Sequence, residues 1–66
     1  MRVACIKDGV VVNAIEIESL DKVPDIVGVQ DGVLIKKDEV QIVQTETGSV
    51  GDLYIEGRGF FRYAGK

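Results

Sequence analysis

The chain has 66 residues and a formal net charge of −3 at pH 7, with 45% hydrophobic and 29% charged residues. Its length predicts one domain, over residues 1–66, and its apolar, mixed-charge composition excludes a disordered chain. A single cysteine and the lack of histidine exclude an internal disulfide and a histidine metal site. Without a basic stripe or an apolar run of roughly 20 residues, we expect binding to neither nucleic acid nor membrane.

The first predicted element is a β-hairpin around Asp8-Gly9. Asp-Gly is the preferred pair for a two-residue turn, because both central residues need positive φ. A two-residue loop predicts these cross-strand pairs: Lys7–Val10, Ile6–Val11, Cys5–Val12, Ala4–Asn13, Val3–Ala14 and Arg2–Ile15. Both faces carry apolar residues, whereas an outer hairpin would have one polar face. We therefore expect both faces to be covered, by the rest of the domain or by a neighbour.

Residues 18–25 are the least regular part of the sequence. Ser19 can cap a single helical turn near residues 18–23, and Pro24 would end it. We therefore predict a loop or a one-turn crossover between the first hairpin and the next.

A second hairpin is predicted around Asp31-Gly32, with the pairs Gln30–Val33, Val29–Leu34 and Gly28–Ile35. Gly28 within a strand indicates a close backbone approach or a bulge. Residues 36–39 form a charged turn, and the alternation in residues 40–45 predicts a further strand. In that strand, Val40 and Ile42 lie on one side and Val43 on the other.

The last predicted hairpin contains all four aromatic residues of the chain. With a loop of two or four residues, Ile55 faces Phe60 and Tyr54 faces Phe61. Adjacent Phe60 and Phe61 must point to opposite faces, so one enters the core and the other needs cover or contacts a partner. The fold class is therefore all-β: a small antiparallel meander of hairpins forming a compact sandwich or barrel-like domain, with at most one short helical turn near residues 18–23.

No group of residues predicts catalysis, a cofactor or a metal site. Cys5 lacks a histidine base and lies in a predicted strand, which favours a small buried hydrophobe over a nucleophile. The carboxylates fall mostly in predicted turns, where they bond nearby backbone. Residues 47–52 lack the lysine of a phosphate-binding loop and the acidic spacing of a calcium loop, so a turn is predicted there. We expect a protein that is not an enzyme.

So short a chain, without a disulfide or a metal, buries too little apolar surface to be robust alone. We therefore expect a homo-oligomer or a multi-copy place in an assembly. The Val10–Val12 run would be a hazard on an exposed strand edge, so it must be either central in the sheet or paired by a neighbour. The residues expected in core or contact roles are Val10, Val12, Ile15, Phe60, Phe61 and Tyr63, and of these Phe61 and Tyr63 are the interface candidates.

Two segments resemble small bacteriophage tail and tail-fibre-associated proteins. The first, Lys7 to Ile15, resembles their opening Gly-Val-Val-Val-Asn hairpin. The second, Val50 to Tyr54 followed by Gly57 and Phe60, resembles their closing Gly-Asp-x-Tyr element, although the turn Glu56-Gly57-Arg58-Gly59 is longer than is usual there. Together the segments cover about a third of the chain, in the same order and at the same ends.

The resemblance implies a non-enzymatic virion structural or assembly protein of a tail, baseplate, fibre or head. It also implies synthesis in the host cytoplasm, which agrees with the lone cysteine and with Lys7 and Asp8 interrupting any signal peptide. The expected partners are other virion proteins and further copies of the chain. The alternative is a free-standing small binding or inhibitory module directed at a host protein.

Overall fold

The computed structural model describes residues 1–63 and consists mainly of antiparallel β-strands. The strands in this part of the chain are β1 (Arg2–Lys7), β2 (Val10–Glu16), β3 (Ile26–Gln30), β4 (Val33–Lys36), β5 (Gln41–Gln44), β6 (Leu53–Ile55) and β7 (Gly59–Phe61). Within residues 1–63 the only helical segments are two 3₁₀ turns, Leu20–Lys22 and Lys37–Glu39. The prediction of a small all-β domain is therefore confirmed.

The strands form a five-stranded sheet and a two-stranded sheet. In the larger sheet the order is β5-β1-β2-β6-β7, so the chain leaves it after β2 and returns as β5 on the far side of β1. Between these strands it forms β3–β4, which we call the cover hairpin because it packs on one face of the larger sheet. Neighbouring strands of the larger sheet are therefore not all consecutive in the chain. The intervening cover hairpin buries its own apolar residues, Val27 and Ile35.

The first hairpin turns at Asp8-Gly9 as predicted, with φ of 54° and 79°. The two pairs nearest the turn are those predicted, Lys7–Val10 and Ile6–Val11. Beyond them β2 holds one extra residue, Val12, in a β-bulge, so Cys5 pairs with Asn13. The remaining predicted pairs are therefore wrong by one residue, and the observed ones are Ala4–Ala14, Val3–Ile15 and Arg2–Glu16.

Both faces of the first hairpin are covered, as its composition predicted. One face carries the Ala4 cluster, in which Ala4, Ile6 and Val11 are buried and Val43, Tyr54 and Phe60 pack against them. The opposite face carries the Cys5 cluster, in which Cys5, Val27 and Ile35 are buried and Val12, Ile15, Val23, Val40 and Ile42 pack against them. Val40 and Ile42 thus share one side of their strand and Val43 takes the other, as predicted. The hydrophobic core therefore lies on both sides of β1.

The two 3₁₀ turns differ in part from the prediction. Ser19 precedes the turn Leu20–Lys22, but its hydroxyl donates to the Asp21 carboxylate and caps no backbone amide. The second turn, Lys37–Glu39, lies where the sequence predicted only a charged turn, so the limit of one helical turn was too low. Glu39 supports this turn by accepting a 3.1 Å hydrogen bond from the Lys36 amide.

The cover hairpin turns at Asp31-Gly32, with φ of 54° and 78°, and has the three predicted pairs. Gly28 fulfils both predicted roles. The register shifts between Ile26 and Gly28, and a Cβ on Gly28 would lie 2.9 Å from the Asn13 Nδ2 atom. The same Nδ2 donates a 2.6 Å hydrogen bond to the Val27 carbonyl. Asn13, beside the bulge in β2, therefore attaches the cover hairpin to the larger sheet.

Candidate protein-interaction site

The C-terminal strands β6 and β7, which we call the terminal hairpin, are joined by a three-residue loop. The Arg58 amide donates a 2.9 Å hydrogen bond to the Ile55 carbonyl, and Gly57 supplies the positive φ of 83° that this turn requires at its third residue. An odd loop shifts the register by one residue from the even loops that were predicted. The observed pairs are Leu53–Phe61, Tyr54–Phe60 and Ile55–Gly59, so the predicted pairs Ile55–Phe60 and Tyr54–Phe61 are wrong.

The inner face of the terminal hairpin carries Tyr54 and Phe60. Their ring centroids are 4.9 Å apart with the planes tilted by 42°, and both rings pack against the Ala4 cluster. Phe60 also lies against Gly48, where an added Cβ would come within 2.7 Å of the ring Cδ1 atom. One of the two adjacent phenylalanines therefore enters the core, as predicted.

The outer face of the terminal hairpin is exposed. Phe61 pairs with Leu53, and Leu53 pairs with Val10 of β2, so these three side chains lie side by side on one face of the sheet. Phe61 is 44% exposed, Ile55 is 47% exposed, and Tyr63, which follows β7, is 60% exposed. Because β7 is the last strand of the sheet, its outer edge has no strand partner within residues 1–63.

The six residues expected in core or contact roles divide into two groups. Four have a place within the domain: Val12, Ile15 and Phe60 pack against the two clusters, and Val10 pairs with Lys7 and Leu53 inside the sheet. The other two, Phe61 and Tyr63, are exposed. The fold thus leaves accessible the two side chains that the sequence singled out for partner contact, and their role in binding stays a prediction.

The beginning of the Val10–Val12 run lies in an inner part of the sheet and not on an exposed edge. β2 lies between β1 and β6 in the sheet. The Val11 amide donates to the Asp52 carbonyl at 2.9 Å, and the Val11 carbonyl accepts from the Gly51 amide at 2.8 Å. The fold therefore satisfies this part of the strand without a neighbouring molecule.

Arg2 fastens the segment before the terminal hairpin, a role that the sequence did not predict. Its guanidinium donates to the carbonyls of Thr45, Thr47 and Gly48, at 3.2, 2.8 and 2.8 Å. Charged donors make the stronger class of hydrogen bond, so this contact holds residues 45–48 against the start of β1. No sequence pattern identifies it, because the acceptors are backbone carbonyls, which every residue has.

A second exposed apolar surface lies on the cover hairpin. Val29, Val33 and Leu34 are each more than half exposed. The predicted register could have located Val29 and Leu34 on this surface. Their pair is next to the pair Gly28–Ile35, and successive cross-strand pairs point to opposite faces of a sheet. Since Ile35 is buried, the Val29–Leu34 pair must face outward.

The groups considered for chemistry have structural roles in the part of the chain that the structure describes. Cys5 is fully buried, and burial raises the pKa of its thiol, which keeps the sulfur protonated. In residues 47–52, the Asp52 carboxylate accepts a 2.9 Å hydrogen bond from the Ser49 amide, which closes a turn as predicted. Glu16 pairs with the α-amino group of Met1 at 3.0 Å.

Within residues 1–63, no three His, Cys, Asp or Glu side chains come together as a group that could hold a metal ion. None of the helical segments in this part of the chain is long and apolar enough to cross a membrane.

Comparison of the chain with protein-family models, with curated proteins and with solved structures found no match in any of the three. The basis for a functional proposal is therefore the geometry itself. Within residues 1–63, that geometry places an exposed apolar face of the terminal hairpin next to the free edge of β7.

Proposed function

We propose that the chain is a non-enzymatic bacteriophage virion structural or assembly protein that acts through protein–protein contacts. One observation carries the proposal: the outer face of the terminal hairpin exposes Phe61 and Ile55, with Tyr63 beside them. Aromatic side chains are enriched in the cores of protein interfaces and among the residues that dominate binding. The contact surface would therefore be centred on Phe61.

The spatial relation of the two segments that resemble phage proteins supports the proposal. These segments are about 35 residues apart in sequence, yet they form one hydrogen-bonded unit. The Tyr54 amide donates to the Gly9 carbonyl at 2.8 Å, and Val11 exchanges hydrogen bonds with the Gly51-Asp52 backbone. The occurrence of both motifs in one sequence therefore has a physical explanation, since the two segments build one local structure together.

The distribution of apolar surface also favours a multi-copy assembly. Domains of this size have cores that supply only about 3–5 kcal/mol, and bracing or association usually adds to that. Here two hairpins expose apolar side chains, while the only cysteine is buried. Contacts with other virion proteins at the terminal hairpin would cover part of this surface and add stability.

The test is mass spectrometry of purified particles from a strain that carries the gene. Particles and assembly intermediates are separated by density gradient, and peptides of the chain are quantified against the major structural proteins. We expect a fixed stoichiometry in particles or in a defined intermediate. Absence from both would contradict the proposal, and recovery as a complex with one host protein would favour an inhibitory module instead.

A pair of variants locates the contact surface in the same experiment. Phe61→Ser removes the aromatic centre of the terminal hairpin, and Val29→Ser removes a comparably exposed apolar side chain from the cover hairpin. We expect Phe61→Ser to lower incorporation by about tenfold or more, as for a dominant interface residue, and Val29→Ser to leave it unchanged. The reverse result would move the contact to the cover hairpin.

A further inference from the structure

The five-stranded sheet ends in two edge strands of different character. β7 forms one end and β5 the other, and neither outer edge has a strand partner within residues 1–63. Unpaired backbone groups at such edges are templates for pairing with another chain. A molecule with two free edges on one sheet can pair with two neighbours at once.

The charges that flank these two strands are opposite in sign. Arg58 and Arg62 stand immediately before and after β7, and both are exposed. Asp38 and Glu39 precede β5, and Glu46 follows it, and these three are also exposed. The β7 edge is therefore bordered by cations at both ends, and the β5 edge by anions at both ends.

Nearby charges reduce this contrast without removing it. Beside β5, Lys37 is paired with Asp25 at 3.4 Å, and within residues 1–63 Lys36 has no ion-pair partner and lies among the three carboxylates. Arg2, near the far end of β5, directs its guanidinium to three backbone carbonyls. Beside β7, Glu56 in the loop opposes the two arginines. A positive edge and a negative edge remain.

The apolar faces are complementary as well. Ile42 of β5 pairs with Cys5 of β1. Lys7 lies two residues after Cys5 in β1, so it is on the same face, and it belongs to the cross-strand row Lys7–Val10–Leu53–Phe61. Phe61 and Ile42 therefore lie on the same face of the sheet. The cover hairpin occupies this face at the β5 end, and the face is exposed at the β7 end. If β7 of one copy lay beside β5 of a second copy with the sheets in the same orientation, exposed Phe61 would lie beside the end of the second sheet that the cover hairpin covers.

We propose that copies of this chain associate head to tail, with β7 of one copy alongside β5 of the next. The occupant of the β7 edge is thus a second copy of the chain. Because the two surfaces in contact are different, the association does not stop at two copies and gives a ring or a filament. The inference rests on the proposed function, since it names the first partner within a multi-copy assembly.

The purified chain tests this directly, by sedimentation velocity over a concentration series at about 50 mM and about 500 mM salt, which changes electrostatic screening strongly. We expect species larger than a dimer that grow with concentration and shrink at the higher salt. A monomer under all conditions would overturn the inference. It would leave the proposed function to the particle measurement, which does not depend on self-association.

Charge reversal at each edge identifies the surfaces. One variant carries Arg58→Glu and Arg62→Glu, and the other carries Asp38→Lys and Glu46→Lys, which spares the Glu39 contact with Lys36. Each variant alone presents two edges of the same sign, so we expect its assembly midpoint to rise by about tenfold or more. An equimolar mixture restores complementary edges, and its midpoint should return to that of the unmodified chain.

The control is Lys22→Glu, an exposed charge on the first 3₁₀ turn, which should leave assembly unchanged. Circular dichroism and urea unfolding establish that every variant is folded. A dimer that saturates at two copies and is indifferent to Asp38→Lys with Glu46→Lys would indicate β7–β7 pairing and overturn the head-to-tail arrangement. Failure of the mixture to assemble, although both variants are folded, would overturn it too.

Discussion

The first hairpin and the terminal hairpin share two general features but have different surroundings. Both reverse direction at a glycine-containing turn, and both carry apolar residues on two faces. In the first hairpin, residues Val3 to Ile6 of β1 are at most 3% exposed, because a cluster packs on each face. In the terminal hairpin only the inner face is packed, and the outer face is open to solvent.

Position in the sheet explains this difference better than composition does. β1 and β2 lie inside the sheet and between its two clusters, whereas β7 is an end strand and β6 pairs with β2 at the single ladder position Val10–Leu53. Segments with few buried contacts open at a lower free energy than the core. The comparison indicates that the first hairpin supplies stability and that the terminal hairpin is available for binding.

The largest expected effect comes from substituting one isoleucine in each hairpin. Ile6→Ala removes a buried side chain from the Ala4 cluster, and we expect it to cost about 2–5 kcal/mol of unfolding free energy. Ile55→Ala, on the exposed outer face, should change it by less than about 0.5 kcal/mol. Urea unfolding followed by circular dichroism measures both. Equal losses would contradict the division between a core hairpin and a binding hairpin.

A smaller effect is expected where the terminal hairpin meets its preceding loop. Gly48 and Gly51 have similar positive φ values, 93° and 97°, but only Gly48 contacts a side chain, the ring of Phe60. Gly51→Ala should therefore cost about 1–2 kcal/mol for the backbone conformation alone, and Gly48→Ala about 1–3 kcal/mol more for the clash.

The double variant Gly48→Ala with Phe60→Leu separates the two contributions. A smaller side chain at position 60 should relieve part of the clash and leave the backbone strain, so the two changes together should cost less than their sum. Urea unfolding again gives the free energies. Losses that simply add would show that Phe60 does not fix this loop, and the terminal hairpin would then be more loosely held than the contacts imply.

Turn chemistry made much of the fold predictable. The Asp-Gly pairs located two hairpins and the first pairs of each register, because few residue pairs adopt positive φ at both positions. Alternation of apolar residues placed Val40, which precedes β5, and Ile42 on one side of the sheet and Val43 on the other. For the candidate site, adjacency of Phe60 and Phe61 was enough to predict that only one of them enters the core.

The remainder depends on features that a single sequence does not encode locally. The three-residue loop around Gly57 changed the register of the terminal hairpin, since several loop lengths fit Glu56-Gly57-Arg58-Gly59 equally well. Arg2 binds carbonyls more than 40 residues away in the sequence, and no side-chain pattern marks them. The β-bulge at Val12 lies beside a tertiary contact, the hydrogen bond from Asn13 to the cover hairpin, which no local pattern marks.

The smallest expected effect tests whether that bulge attaches the cover hairpin. Asn13→Ala loses the 2.6 Å hydrogen bond to the Val27 carbonyl and should cost about 1 kcal/mol. Gly28→Ala should cost a similar amount, because its Cβ would lie 2.9 Å from Asn13 Nδ2 and displace that donor. With both changes, the clash is gone and the same hydrogen bond is lost only once. The double variant should therefore be no less stable than either single one, which is a coupling of about 1 kcal/mol in a double-mutant cycle by urea unfolding. Costs that add independently would mean that Asn13 and Gly28 do not meet, which would contradict their close approach at this attachment.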